Sequence, residues 1–237
     1  MGCNSCHIHH LIFIPKHERK CDFHWNGCAS VASSSWKAIN SYSGQTFFTA
    51  ADPTSGNVQY VDQSTAQSAG LIEINSNGNA VMRVETTPQV QTNRQSVRIT
   101  TQATFYGGLV VMDAVHMPTG CATWPAFWTN GPNWPAGGEI DIIEGVSNYT
   151  NNQATIHTNP GCTLPSTNSA LLNMSGTLVA STDCSAAQTG NQGCGIRSNS
   201  SVSFASGFNG IGGGVYAMLW DNSGIKVYGV GMTAYGE

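Results

Sequence analysis

Three carboxylates stand close together in Gly137-Gly138-Glu139-Ile140-Asp141-Ile142-Ile143-Glu144-Gly145, a segment otherwise written in the apolar residues of a buried strand. Setting acids among such neighbours brings like charges together in a poor solvent and raises at least one pKa. Cleavage of a glycosidic bond uses that condition: one carboxylate attacks or stabilises the anomeric carbon while a second, still protonated, serves the leaving oxygen. The spacing adds a structural requirement. Side chains on a regular strand alternate faces, so Glu139 and Asp141 point together and Glu144 points away. A β-bulge at Ile142 or Ile143 would swing Glu144 back beside them, and bulges are enriched next to active sites. A bulge is therefore expected there. The plainer alternative is an edge strand that carries acids to repel partners.

Aromatic residues come just upstream. Trp124, Trp128 and Trp134 are three of the six tryptophans and precede Glu139 within a short stretch. The C–H face of a pyranose packs on an indole while its hydroxyls stay free for polar partners, so tryptophan beside carboxylates suits carbohydrate. Trp124 is expected in the core. Trp128 and Trp134, separated by the turn-forming Thr129-Asn130-Gly131-Pro132-Asn133, are the candidate sugar platforms. Downstream, Ala154-Thr155-Ile156-His157-Thr158 reads as a short strand pairing with the acidic one, with Thr155 and His157 on one face and His157 within reach of the acids. A lone histidine on a strand is otherwise a satisfied core or surface group.

From about Phe47 to Val227 the chain resembles the laminarinase-type branch of glycoside hydrolase family 16, the fungal endo-1,3(4)-β-glucanases. The resemblance rests on Ala51-Asp52-Pro53-Thr54 with Tyr60-Val61-Asp62, on Ser96-Val97-Arg98-Ile99, and on His116-Met117-Pro118 with Trp124-Pro125. Above all it rests on Glu139-Ile140-Asp141-Ile142-Ile143-Glu144, which is similar to the family's bulged E-x-D-x-x-E signature. It implies a concanavalin A-like β-jelly-roll sandwich with a concave sheet forming an open cleft, and a retaining double displacement on β-glucan. Glu139 would then be the nucleophile, Glu144 the general acid/base, and Asp141 a hydrogen-bonding partner of the nucleophile. Trp128, Trp134, His157 and Arg94 match sugar-contact positions. No cofactor or metal is implied.

The elements that must position these residues read as strands. Short alternating stretches recur at Ala80–Glu85, Ser96–Thr101, Gly108–Ala114, Val215–Trp220 and Gly224–Val230, punctuated by Gly, Asn, Ser and Pro. That is the pattern of an all-β sandwich or barrel. Residues 41–237 are taken as the catalytic sandwich and 1–40 as a poorly ordered leader unrelated to it. The leader carries Cys3, Cys6, His7, His9, His10, His17, Cys21 and His24, ligand types for zinc, but no second pair has finger spacing. Leu11–Ile14 is too short for the apolar core of an export signal. The family resemblance also implies further strands beyond the one matching Gly224–Val230, so a sandwich incomplete at its carboxyl end is expected.

A net charge of -4 leaves no basic stripe for nucleic acid, and a neutral polysaccharide needs no charge steering. No stretch is long and apolar enough to span a membrane. Sequons at Asn148, Asn173 and Asn199 suit an extracellular chain. Among Cys121, Cys162, Cys184 and Cys194, one pair within the last three is expected, leaving Cys121 and one further thiol. A monomer acting on β-glucan is the resulting picture. Its rivals are a transglycosylase using the same covalent intermediate and a non-catalytic glucan-binding or inactive remnant; only the enzymes gain from a paired nucleophile and proton donor.

Overall fold

Residues 9–11, 42–89, 92–165 and 174–231 are described by the computed structural model. In chain order the first strands are β1 (His9–Leu11), β2 (Gln45–Phe47), β3 (Val58–Tyr60), β4 (Ile72–Ile74), β5 (Ala80–Met82), β6 (Arg94–Ser96), β7 (Ile99–Thr101) and β8 (Gly108–Ala114). There follow β9 (Ala126–Asn130), β10 (Glu139–Glu144), β11 (Gln153–His157), β12 (Thr177–Ala180), β13 (Cys194–Arg197), β14 (Gly214–Asp221) and β15 (Gly224–Gly231). Among the described residues two short helices, α1 (Gln63–Ser68) and α2 (Ala205–Gly210), interrupt them. The strand expected over Ser96–Thr101 is divided, Val97 and Arg98 separating β6 from β7.

The chain divides into two units, and the acids lie in the larger, from Ile99 onward with Gly44–Thr46 and the first residues. Its main sheet has the order β1-β9-β10-β11-β13-β12, and a second sheet the order β15-β14-β8. Alternation decides which side chains meet between them. Val110, Met112 and Ala114 of β8 and Tyr216 and Met218 of β14 join Phe127 of β9 and Ile140, Ile142 and Ile143 of β10 in one apolar cluster. Phe204, Ala205 and Phe208 of the α2 segment, with Met117, complete it. Each valine, isoleucine, methionine or phenylalanine among them taken fully from water contributes about 1.5–3 kcal/mol, so the acidic strand is fixed chiefly by its isoleucines. Between the two sheets a partly open cavity of about 780 Å³ has Ile156, Ile196, Ile225 and Val227 in its wall.

The described residues of the smaller unit are 42–43, 47–89 and 92–98. Asp62 caps α1, accepting from the Thr65 N–H at 2.8 Å, as a helix N-terminus with unpaired donors requires. β4 and β5 form a hairpin whose turn is tied by Asn75, with Gly78 in the left-handed region at φ 79°. β3 and β6 run parallel.

Of the leader, only His9–Leu11 falls on described residues, as a strand against β9; the cysteine and histidine ligand set is outside them, apart from His9 and His10, and so is Asn173. Cys184 and Cys194 are joined, a pairing within the expected trio. Cys162 is also disulfide-bonded, which corrects the expectation of a second spare thiol. Cys121 is free and exposed.

Candidate active site

β10 lies between two antiparallel neighbours. Against β11, Glu139 faces His157, Ile140 faces Ile156 and Asp141 faces Thr155. Against β9, Glu139 faces Asn130, Ile140 faces Thr129 and Asp141 faces Trp128, after which the register resumes with Ile143 at Phe127 and Glu144 at Ala126. Ile142 is the inserted residue of a bulge, one of the two positions that the spacing of the acids demanded. The insertion sends both Ile142 and Ile143 into the core cluster and returns Glu144 to the face of Glu139 and Asp141, since directly opposed residues share a face. Three rows result on that face: Asn130, Glu139 and His157; Trp128, Asp141 and Thr155; Ala126 and Glu144. Asn130, which the sequence reading did not single out, sits beside Glu139; the alternation Ala126, Trp128, Asn130 was the available signal.

Burial sets the charge state of the acids. Asp141 is 1% exposed, and burial, followed by the neighbouring Glu144 carboxylate, pushes its pKa well above the ordinary range. Burial and then the charge of Asp141 raise Glu139 to about 7, opposed by His157 and the Trp134 indole. Glu144 is raised by burial as well, with a hydrogen bond from Trp124 opposing. The three carboxyls therefore hold protons that isolated acids would have released, and they titrate as a set. His157, 8% exposed, places Nε2 3.3 Å from Asp141 Oδ2. Gly193 makes room for that ring: a Cβ there would lie 2.8 Å from His157 Nδ1. Glu139, Asp141 and His157 present donor atoms within 4.8 Å of one another, a carboxylate and imidazole set that a divalent cation could use.

Each terminal glutamate has its own indole. Trp134 Nε1 donates to Glu139 Oε2, and Trp124 Nε1 donates to Glu144 Oε1 at 2.8 Å. Trp134 is 44% exposed. The expectation for Trp124 was a core position, and that is corrected: it is 56% exposed. It precedes β9 in a turn bound by Thr123 N–H to Gly120 and by Ser147 N–H to Thr123, so strand alternation does not govern its direction and its N–H is drawn to a carboxylate. Trp128 is half-buried in the row of Asp141. Arg94 stands on β6 of the smaller unit, donating to Glu85 Oε2 at 2.8 Å and to the Glu85 and Thr87 carbonyls; the acids' own partners all belong to the larger unit.

A two-sheet sandwich with a bulged strand bearing paired glutamates defines a glycoside hydrolase catalytic domain of the β-jelly-roll type. The profile of the XgeA-like catalytic GH16 domain matches residues 45–232, and the chain belongs to glycoside hydrolase family 16. A probable endo-1,3(4)-beta-glucanase of Aspergillus niger is 42% identical over 208 residues, covering 84% of this chain and 27% of the relative. The GH16 laminarinase 16A of Phanerochaete chrysosporium, solved with β-glucans in donor and acceptor sites, superposes with a TM-score of 0.73 at 38% identity, over 80% of this chain and 63% of its own. An elongating family 16 β-1,3-glucosyltransferase superposes with a TM-score of 0.72 at 36% identity, over 80% of this chain and 63% of its own. The chain spans between 27% and 48% of the length of the curated relatives it matches.

Proposed function

We propose that this chain acts in the endo-hydrolysis of 1,3- or mixed 1,3/1,4-β-glucosidic bonds by a retaining double displacement. Ionised Glu139 attacks the anomeric carbon; the bond from that carbon to the glucosidic oxygen breaks, and Glu144 gives its proton to the departing oxygen. A glycosyl ester of Glu139 is left. Water then gives a proton to Glu144 while its oxygen bonds the anomeric carbon, releasing Glu139 as a carboxylate. Asp141, more buried than either glutamate, serves as hydrogen-bond partner of the nucleophile, and His157 holds Asp141. Trp128 and Trp134 offer faces to the sugar, and Arg94 is a further contact by family resemblance. The observation that supports this reading is the bulge at Ile142, which gathers Glu139, Asp141 and Glu144 on one face, where each terminal glutamate accepts from its own indole.

A secreted monomer fits the same reading. The Cys184–Cys194 bridge suits an oxidising compartment, and the sequon asparagines Asn148 and Asn199 are exposed. Transfer to a second glucan chain instead of water is the one competing reading with an observation behind it, the similarity to the elongating glucosyltransferase; both reactions share the glycosyl ester and differ in acceptor.

The deciding experiment measures reducing-sugar release from laminarin and mixed-linkage β-glucan and follows the chain length of the products. Wild type is expected to release reducing ends from either glucan. Glu139→Gln should form no glycosyl-enzyme, and Glu144→Gln should lose about 10²–10⁴-fold on natural glucan while keeping attack on substrates with activated leaving groups. Full activity of Glu139→Gln would end the assignment, and products longer than the starting oligosaccharide would favour transfer.

A further inference from the structure

Pairing between β10 and β11 stops at Asp141 and Thr155. Beyond it, the bulge leaves the Ile142 carbonyl and the Glu144 N–H on the β11 side without a strand neighbour, and buried peptide groups need partners. The Asn152 side chain supplies both. Its Nδ2 donates to the Ile142 carbonyl at 2.9 Å, and its Oδ1 accepts from the Glu144 N–H at 3.0 Å. A carboxamide has the donor and acceptor of one peptide unit, so a single side chain here replaces one unit of a neighbouring strand.

Asn152 is itself held on every side. It is 4% exposed. Its N–H donates to Ser203 Oγ at 2.9 Å, and its carbonyl accepts from the Ser198 N–H at 2.8 Å. Ser203 is tied in turn by its hydroxyl to the Ser200 carbonyl at 2.6 Å and by its carbonyl to the Tyr216 hydroxyl. A chain of hydrogen bonds thus runs from β14 in the second sheet, through Asn152, to the backbone of Glu144.

We propose that Asn152 is a positioning residue for proton transfer, fixing the bulge so that the Glu144 carboxyl stays on the face of Glu139. The inference rests on the function proposed above. It assigns Asn152 no contact with substrate. The consequence is selective: attack by Glu139 keeps its geometry when Asn152 is removed, and the proton donor loses its own.

The test compares wild type, Asn152→Ala and Asn152→Asp on laminarin and on a 2,4-dinitrophenyl β-glucan oligosaccharide, whose leaving group needs little protonation. In Asn152→Ala, kcat/KM on laminarin should fall about 10²-fold, the usual cost of misplacing a catalytic group by an ångström, while kcat/KM on the activated substrate falls less than about threefold. Azide, which needs no general base, should raise turnover of the variant on the activated substrate and leave wild type unchanged. Asn152→Asp keeps the acceptor for the Glu144 N–H and should recover part of the laminarin activity. Equal losses on both substrates, or no azide response, would overturn the proposal. Amide hydrogen exchange supplies a readout independent of turnover: in Asn152→Ala the Glu144 amide should exchange at least about tenfold faster than in wild type, as a freed buried N–H does, and unchanged exchange would overturn the assignment even if wild type proved inactive on both glucans. Inactive wild type with accelerated exchange would instead overturn the proposed function and leave the bulge clamp standing.

Discussion

Glu139 carries a proton to unusually high pH because it is buried beside Asp141, and this has a consequence for stability as well as for chemistry. Its pKa is about 7 in the folded chain against about 4.5 for an ordinary glutamate. Between those values the native state binds more protons than the unfolded one, so stability falls as pH rises across that window. Glu139→Gln removes the group that titrates. Thermal melts should find the variant more stable than wild type at pH 7.5, with the gap closing toward pH 4.5. Trp124→Phe makes a second prediction. Its indole lowers the Glu144 pKa, so removing it raises that pKa and keeps the proton donor charged with its proton to higher pH. The alkaline limb of kcat/KM on laminarin should move upward in the variant. Neither indole contact was legible in the sequence: Trp124 lies before the first residue of β9, where strand alternation says nothing about direction, and only proximity in the fold pairs it with Glu144.

The elements explain why the acid arrangement itself was legible. Three carboxylates at intervals of two and three cannot share a face on a regular strand, so the odd interval calls for a bulge at Ile142 or Ile143. What the pattern lacked was the clamp, because Asn152 reaches the bulge by turning back through the β10–β11 connection, a contact that no local rule specifies. Strand ends were less legible where the chain bends without a strong breaker, as at Val97-Arg98 between β6 and β7, and α1 escaped notice although Asp62 and Thr65 form its cap. The Trp134 loop offers an element-scale prediction. Its Gly131 N–H bonds the Gly138 carbonyl at 2.8 Å, and a Cβ at Gly137 would fall inside contact distance of the Pro132 carbonyl and the Gly131 carbonyl carbon. Gly137→Ala should cost about 1–3 kcal/mol by overpacking, measurable by denaturant melts, and should raise KM more than a surface substitution does, because the loop carries the indole that faces Glu139.

For the whole molecule, charge is sparse: 9% of residues are Asp, Glu, Lys or Arg, and the net value is -4. A neutral glucan feels little of that field. Michaelis constants for laminarin should therefore stay within about twofold between low salt and 0.5 M salt, since the Debye length falls to a few ångströms there without a steering term to lose; a steep salt dependence would point to an anionic or cationic substrate. The two-sheet architecture was legible from alternation and turn residues, as in Gly108–Ala114, whereas the cavity between the sheets was not, because no single strand records how far its neighbour's inner face stands from its own.

The pairing of one indole with each terminal glutamate also gives the molecule a light-based reporter. A carboxylate and a carboxylic acid quench a nearby indole to different extents, so tryptophan emission should step as each glutamate loses its proton. Comparing wild type with Trp124→Phe would separate the two steps, and the titration could be followed on resting protein, before any glucan is added.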